Sequence, residues 1–243
     1  MLPFFKKVRE AKRPRCTAVV AAAGSSTRMG GVNKLLQPLE GVPVLVRTLA
    51  ALQITGSIDE IVIAAREEDI LEISQLCRTY GITKCSKVIR GGESRVHSVL
   101  LASLEAAPGT ALLAVQDGAR PLVTPELIDR VVSVAARCGA AAPAVAVKDT
   151  VKSIYEDGRV EETMDRTRLR AVQTPQVFEA SLLKAALQSA LEQEVPVTDD
   201  ASAVERLGKA VFLVEGEEEN LKITTPTDMI LAEAIVRAHE DGR

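Results

Sequence analysis

The feature that most constrains this chain is a rhythm. Short runs rich in Ala, Val and Ile, "CTAVVAA", "IDEIVIAA", "KCSKVIR", "ALLAVQ", "AAAPAVAV" and "AVFLVEG", alternate with stretches of helical period. The first set reads as strands; the periodicity predicts helices over 42–54, 67–80, 94–106 and 125–138. Gly81 and Gly139 stand where left-handed caps would stop the second and fourth helices. Strand and helix in turn imply an α/β fold with a doubly wound, mainly parallel sheet. Composition agrees where it matters. With aromatic residues at 2% and no Trp, the core must be aliphatic, as suits strands covered on both faces. At 243 residues the expectation is a basic tail over 1–15 and one domain over 16–243.

The rhythm breaks over 148–170, where 12 of 23 residues are charged. Within this stretch "YEDGRV" carries the Asp-Gly signal of a two-residue hairpin turn between strands "TVKSI" and "RVEET". A lone two-stranded hairpin is marginal in water. An arm over about 148–172 is therefore expected to project from the sheet and pack on a second copy of the chain, giving a homodimer.

Several classes are excluded. A net charge of −3 gives no general attraction to nucleic acid or anionic membrane, and no apolar stretch reaches the roughly 18 residues that span a bilayer. The opening "MLPFFKKVREAKRPR" lacks a following apolar region and reads as a frayed tail rather than a secretory signal. Cys16, Cys77, Cys85 and Cys138 form no CxxC pair, so neither a zinc site nor a disulfide framework is expected, and the location is expected to be cytoplasmic. His97 and His239 have no evident acid or orienting partner and read as structural or exposed.

In a doubly wound sheet ligands bind at the carboxyl ends of the strands. The first strand is followed by "AGSSTRM", the third by "GGESRVHS" and the fourth by "DGARP". The first loop matches neither GxxxxGK[ST], because Met29 stands five residues after Gly24, nor GxGxxG, because Ser26 stands two after it. What remains is a small-residue loop whose backbone N–H groups can approach an anion, with Arg28 and Lys34 supplying positive charge. Asp117 ends an apolar strand, where it would either hold Mg²⁺ between phosphate oxygens or cap its own turn. Arg120, three residues on, either reaches a second anion or is a surface charge. "NLKITTP" puts Lys222 in an expected strand, pointing away from Leu221 and Ile223 towards solvent or a cleft.

These blocks, in this order, resemble the 2-C-methyl-D-erythritol 4-phosphate cytidylyltransferase family. The resemblance rests on "AAGSSTRM" with Lys34, "GGESRVHSV", "DGARP", "KDT", "MDRTRL", "TPQ", "TDDAS" and "NLKITTP", which span about 22–228. It implies a Rossmann-like sheet of the nucleotide-diphospho-sugar transferase type, and transfer of CMP from CTP to methylerythritol phosphate with release of pyrophosphate. It implies catalytic roles for Arg28, Lys34 and Lys222, and nucleotide contacts from Ala22, Ala23, Gly24, Gly91, Gly92, Ser98 and Asp117. It further implies polyol phosphate contacts from Arg120, Thr150, Arg166, Thr174 and Thr198, with Asp117 placing Mg²⁺ or another divalent cation. The arm would cross to the other subunit, where Thr150, Arg166 and Thr174 complete the partner's site. The nucleophile would be a phosphate monoester, largely ionised at pH 7 because its second pKa is about 6, so no general base is required.

Two departures stand out: Ser26 occupies a loop position that is commonly glycine, and the lysine sits in "NKLL". The alternatives are a cytidylyltransferase for another polyol phosphate, such as ribitol 5-phosphate, and a nucleotide-binding regulator without chemistry. "DGARP" with "TPQ" favours methylerythritol phosphate, and the set Arg28, Lys34, Asp117 and Lys222 favours an enzyme.

Overall fold

The computed structural model describes residues 13–24 and 33–242. In chain order the first half runs β1 (Cys16–Ala22), β2 (Pro38–Leu39), β3 (Val42–Pro43), α1 (Val44–Ile54), β4 (Glu60–Ala65), α2 (Ile70–Thr79), β5 (Cys85–Arg90), α3 (Arg95–Leu104), β6 (Leu112–Asp117), α4 (Pro125–Cys138) and β7 (Ala140–Ala146). The second half runs β8 (Lys152–Ile154), β9 (Val160–Thr163), β10 (Arg170–Val172), β11 (Gln176–Glu179), α5 (Ala180–Glu192), α6 (Asp200–Arg206), β12 (Phe212–Glu215) and α7 (Pro226–Asp241).

β4 and β6 are buried along their whole length and β1 nearly so, because helices cover both faces of the sheet centre. The pleat divides their aliphatic side chains between two cores. Val20, Ile63 and Ala114 pack with Leu49 of α1, Ile73 of α2 and Val131 of α4. Val19, Val62 and Val115 pack on the other face with Val99 of α3 and Leu183 and Leu187 of α5.

β1 lies parallel between β4 and β6, with Ala22 opposite Ala65 and Ala21 opposite Asp117, so the carboxyl ends of all three strands are level. β5 extends the sheet parallel to β4. On the other side β11 inserts antiparallel between β6 and β7. β10 pairs antiparallel with β7, and β12 pairs parallel with it. Ala141 faces both Val177 and Phe212, and Ala144 faces both Val172 and Glu215, which puts β12 on the edge of β7 opposite β10 and β11. The sheet is thus mixed and mostly parallel.

The six expected strands form. α4 has the expected bounds because three local signals agree: the Thr124 hydroxyl accepts from the Leu127 N–H at 3.1 Å, Pro125 occupies the first turn, and Gly139 ends the helix with φ 85°. Gly81, also left-handed at φ 66°, follows α2.

Other expectations need correction. Val42–Pro43 forms β3 instead of the first turn of α1, and Glu67–Asp69 is a 3₁₀ turn leading into α2. The arm's turn has three residues rather than two: Gly158 N–H donates to Tyr155 O at 3.0 Å and Tyr155 N–H to Arg159 O at 2.9 Å, with Gly158 left-handed at φ 85°. That is a type I turn closed by a glycine. Lys222 lies in an irregular segment, not a strand, because its neighbours make only isolated backbone bonds, such as Ile223 N–H to Ala119 O at 2.9 Å. Residues 1–12 of the tail lie outside the described residues. Arg13, expected to fray, instead forms paired 2.8 Å bonds to Asp59.

Candidate active site

The level ends of β1 and β6, the loop after β5 and the segment before α7 enclose a cavity of about 410 Å³. Its lining includes Lys34, Gly92, Arg95, Ser98, Asp117 and Lys222, together with Ala23 and Gly24. Five stretches scattered through the sequence thus meet at the carboxyl edge of the sheet.

The loop after β5 can close against β1 only because its residues are small. A Cβ on Gly91 would stand 2.5 Å from Ala23 Cβ, and one on Gly92 would stand 2.3 Å from the His97 ring. The loop turns into α3 through Ser94, whose hydroxyl accepts from His97 N–H at 3.1 Å. Ser98 accepts from Gly92 N–H at 3.0 Å and donates to Ser94 O at 2.8 Å, tying the glycines to the helix. The half-buried His97 ring thus packs against Gly92.

Asp117 ends β6 buried and surrounded by cations. Lys222 Nζ lies 3.0 Å and Arg120 Nε 3.5 Å from Oδ2, and Arg95 Nη2 lies 3.5 Å from Oδ1. Burial pushes the carboxyl up, but Lys222, Arg95 and Arg120 more than offset it and hold it below the ordinary aspartate range. Arg120 is itself fixed, with Nη1 donating to Asn220 O at 2.6 Å. Asn220 is fully buried and donates to Thr174 O at 3.0 Å. This bond and that of Ile223 to Ala119 place the segment that carries Lys222.

The sequence-derived site residues divide into groups. Lys34, Lys222, Asp117, Ala23, Gly24, Gly92 and Ser98 share the cavity; Ala22 and Gly91 lie directly behind its wall. Arg120 is no surface charge but a buried partner of Asp117. Thr174, expected in the partner's site, is buried in the link between β10 and β11, where its hydroxyl accepts from Asp117 N–H at 3.1 Å. Thr150 and Arg166 are exposed on the arm and do not line the cavity, nor does Thr198, which is exposed with its N–H donating to Ser202 Oγ at 3.1 Å. Arg28 and Ser26 lie outside the described residues.

Two charged residues at the site were not foreseen. Arg95 opens α3 and lines the cavity, and fully buried Asp200 accepts from its Nη2 at 2.8 Å. One signal was present in the sequence: a cation at a helix N-terminus meets the positive end of the helix dipole and calls for a nearby anion.

Among the described residues no group of three or more His, Cys, Asp or Glu is arranged to hold a metal ion. Two carboxylates line the cavity, exposed Glu93 on the loop after β5 and buried Asp117 beside Lys222. A buried carboxylate such as Asp117 suits a hard divalent cation that takes its remaining ligands from phosphate oxygens and water.

A mostly parallel sheet that gathers lysines, an arginine and a carboxylate in one cavity at its carboxyl edge defines a Rossmann-like nucleotidyltransferase. The chain belongs to the 2-C-methyl-D-erythritol 4-phosphate cytidylyltransferase family, whose profile matches residues 16–238. A relative of that name from Bacillus cytotoxicus is 44% identical over 221 residues, covering 90% of this chain and 97% of its own. The crystal structure of 4-diphosphocytidyl-2C-methyl-D-erythritol synthase from Anaerococcus prevotii superposes with a TM-score of 0.83 at 30% identity, covering 92% of this chain and 96% of its own. The 2-C-methyl-D-erythritol 4-phosphate cytidylyltransferase from Thermus thermophilus gives 0.74 at 32% identity, covering 92% and 99%.

Proposed function

We propose that this cavity transfers CMP from CTP to 2-C-methyl-D-erythritol 4-phosphate, giving 4-diphosphocytidyl-2-C-methyl-D-erythritol and pyrophosphate. The observation that carries this reading is the convergence of Lys34, Lys222, Arg95 and Asp117 on one cavity beside a glycine-lined wall. An ionised oxygen of the substrate phosphate attacks the α-phosphorus in line. The bond to the bridging oxygen of the β-phosphate breaks, and pyrophosphate leaves with the electron pair. Two anions must meet, so fixed positive charge supplies most of the acceleration.

Lys34 neutralises the triphosphate from the β1 side and Lys222 the incoming phosphate from the opposite wall; Arg28 adds to the first. Gly92 and Ser98, backed by Gly91, form a wall close enough for cytosine and ribose. Asp117 would hold Mg²⁺ or another divalent cation, which would neutralise charge on the triphosphate when bound. Because Asp117 stays ionised among its cations, it remains a ligand at neutral pH.

The arm extends the same reading. Thr150 and Arg166 contact the polyol phosphate of a second subunit in a homodimer. No helix among the described residues is long and apolar enough to cross a membrane. The four cysteines are free, which fits the reducing cytoplasm where we place the protein. Neither nucleic acid nor membrane is required as a partner.

The test offers CTP and Mg²⁺ with methylerythritol phosphate or ribitol 5-phosphate and measures pyrophosphate release. Turnover is expected with the first acceptor. Faster turnover of ribitol 5-phosphate would reassign the substrate, and CTP binding without release from either would leave a regulator.

A further inference from the structure

We infer that Arg95 and Asp200 form a positioning pair that fixes the Asp117 carboxylate, leaving Lys222 as the group that changes partner when a substrate phosphate arrives. The inference rests on the reading of the cavity as a cytidylyltransferase site.

The three cations around Asp117 are not equivalent. Arg120 is pinned by Asn220 O at 2.6 Å, and Arg95 by Asp200 at 2.8 Å. The Lys222 side chain is 38% exposed and reaches Asp117 from a flexible four-carbon stem. The two guanidinium groups approach opposite oxygens, Arg95 near Oδ1 and Arg120 near Oδ2. Two anchored guanidinium groups, each with one nitrogen 3.5 Å from its edge, bracket the carboxylate electrostatically, and Lys222 is left able to turn to a phosphate.

Asp200 has no other evident task. The cap of α6 is the preceding residue: Asp199 accepts from Ser202 N–H at 2.8 Å in a capping box. Asp200 is 0% exposed, bonds Arg95 through Oδ2, and leaves Oδ1 without a hydrogen-bond partner among the described residues. Burying a carboxylate so sparsely bonded is costly unless its charge is used. Its charge lets Arg95 remain at the start of α3, against the helix dipole, where it can touch Asp117.

Asp200→Asn separates positioning from bulk charge by sign. The change removes a negative charge near an anion-binding cavity, so simple electrostatics makes CTP bind more tightly. Positioning makes the Mg²⁺-dependent part of CTP binding weaker, by the roughly 10–100-fold typical of groups that orient a metal ligand. Calorimetry of CTP with and without Mg²⁺ is the primary readout, accompanied by kcat and the KM for methylerythritol phosphate. The expected result is a loss confined to Mg²⁺-dependent affinity and kcat, with metal-free CTP binding and acceptor KM retained.

CTP–Mg²⁺ binding that is unchanged or tighter overturns the inference, as does an equal loss with and without metal. If Asp200→Asn does not fold, Arg95→Lys carries the test. Lysine keeps the charge but loses the rigid planar head that Asp200 orients, so the same metal-dependent loss is expected and its absence overturns the inference. Wild-type protein that turns over no polyol phosphate defeats the underlying reading instead, and the two failures are thereby distinguished.

Discussion

Lys222 and Asp117, the 3.0 Å pair at the cavity, were legible because each interrupts an apolar pattern: Asp117 ends a buried strand, and Lys222 stands between Leu221 and Ile223. The alternation held for Lys222 even though no strand forms. Ile223 is buried, and the lysine between its neighbours faces the cavity. Lys222→Ala is expected to lower kcat by about 10²–10³, the usual effect of removing a preorganised charge, as read by pyrophosphate release at saturating CTP. Gly91 tests the wall. An added methyl would sit 2.5 Å from Ala23 Cβ and 2.8 Å from Ser98 Oγ. Gly91→Ala is therefore expected to raise the KM for CTP with little change in that for the polyol phosphate; equal KM values for CTP in variant and wild type would show that this wall does not meet the nucleotide. Arg95 and Asp200 escaped sequence reading because they are 105 residues apart. An arginine after a glycine pair and an aspartate in a charged loop each look solvated until the fold brings them together.

Elements were legible where one local signal set the whole length. β1 and α4 came out with their expected bounds, the first from a continuous apolar run, the second from its caps. β11 did not: its four residues, "QVFE", carry too little pattern, and its place in the sheet is set by pairing with β6 and β7. At the start of β4, Glu60 shows how an element end is held. Its carboxylate accepts from Thr17 Oγ1 at 2.9 Å, Ser86 Oγ at 2.7 Å and Ala107 N–H at 2.9 Å. Burial pushes this carboxyl up, but those bonds and nearby Arg15 hold it below the usual glutamate range. The unfolded chain therefore takes up this proton first as pH falls. The contribution is complete above the unfolded value of about 4.3 and is lost as pH drops through the lower folded value. Urea midpoints of Glu60→Gln and wild type should differ most near neutrality and converge as pH falls through the lowered folded value; a gap that widens on acidification would contradict this.

At the scale of the whole molecule, the alternation of strands and helices predicted the mainly parallel sheet, and the Asp-Gly turn signal predicted the β8–β9 hairpin. The arm leaves Ile154, Tyr155 and Val160 exposed by 62%, 48% and 55%. Apolar side chains on a two-stranded hairpin call for a covering surface, and a second copy of the chain is the proposed one. Deleting 150–168 is expected to give a monomer by analytical ultracentrifugation with at most a small fraction of wild-type turnover. A monomer with full turnover would show that each chain completes its own site.

The arm also has an unusual root. Its returning end becomes β10 and then, past Gln173 and Thr174, the strand wedged between β6 and β7. A pull on the tip is therefore felt deep in the molecule, at the backbone amide of Asp117 that rests on Thr174. Two copies gripping each other by such levers would be sensitive, each at its own catalytic edge, to how tightly the other holds on.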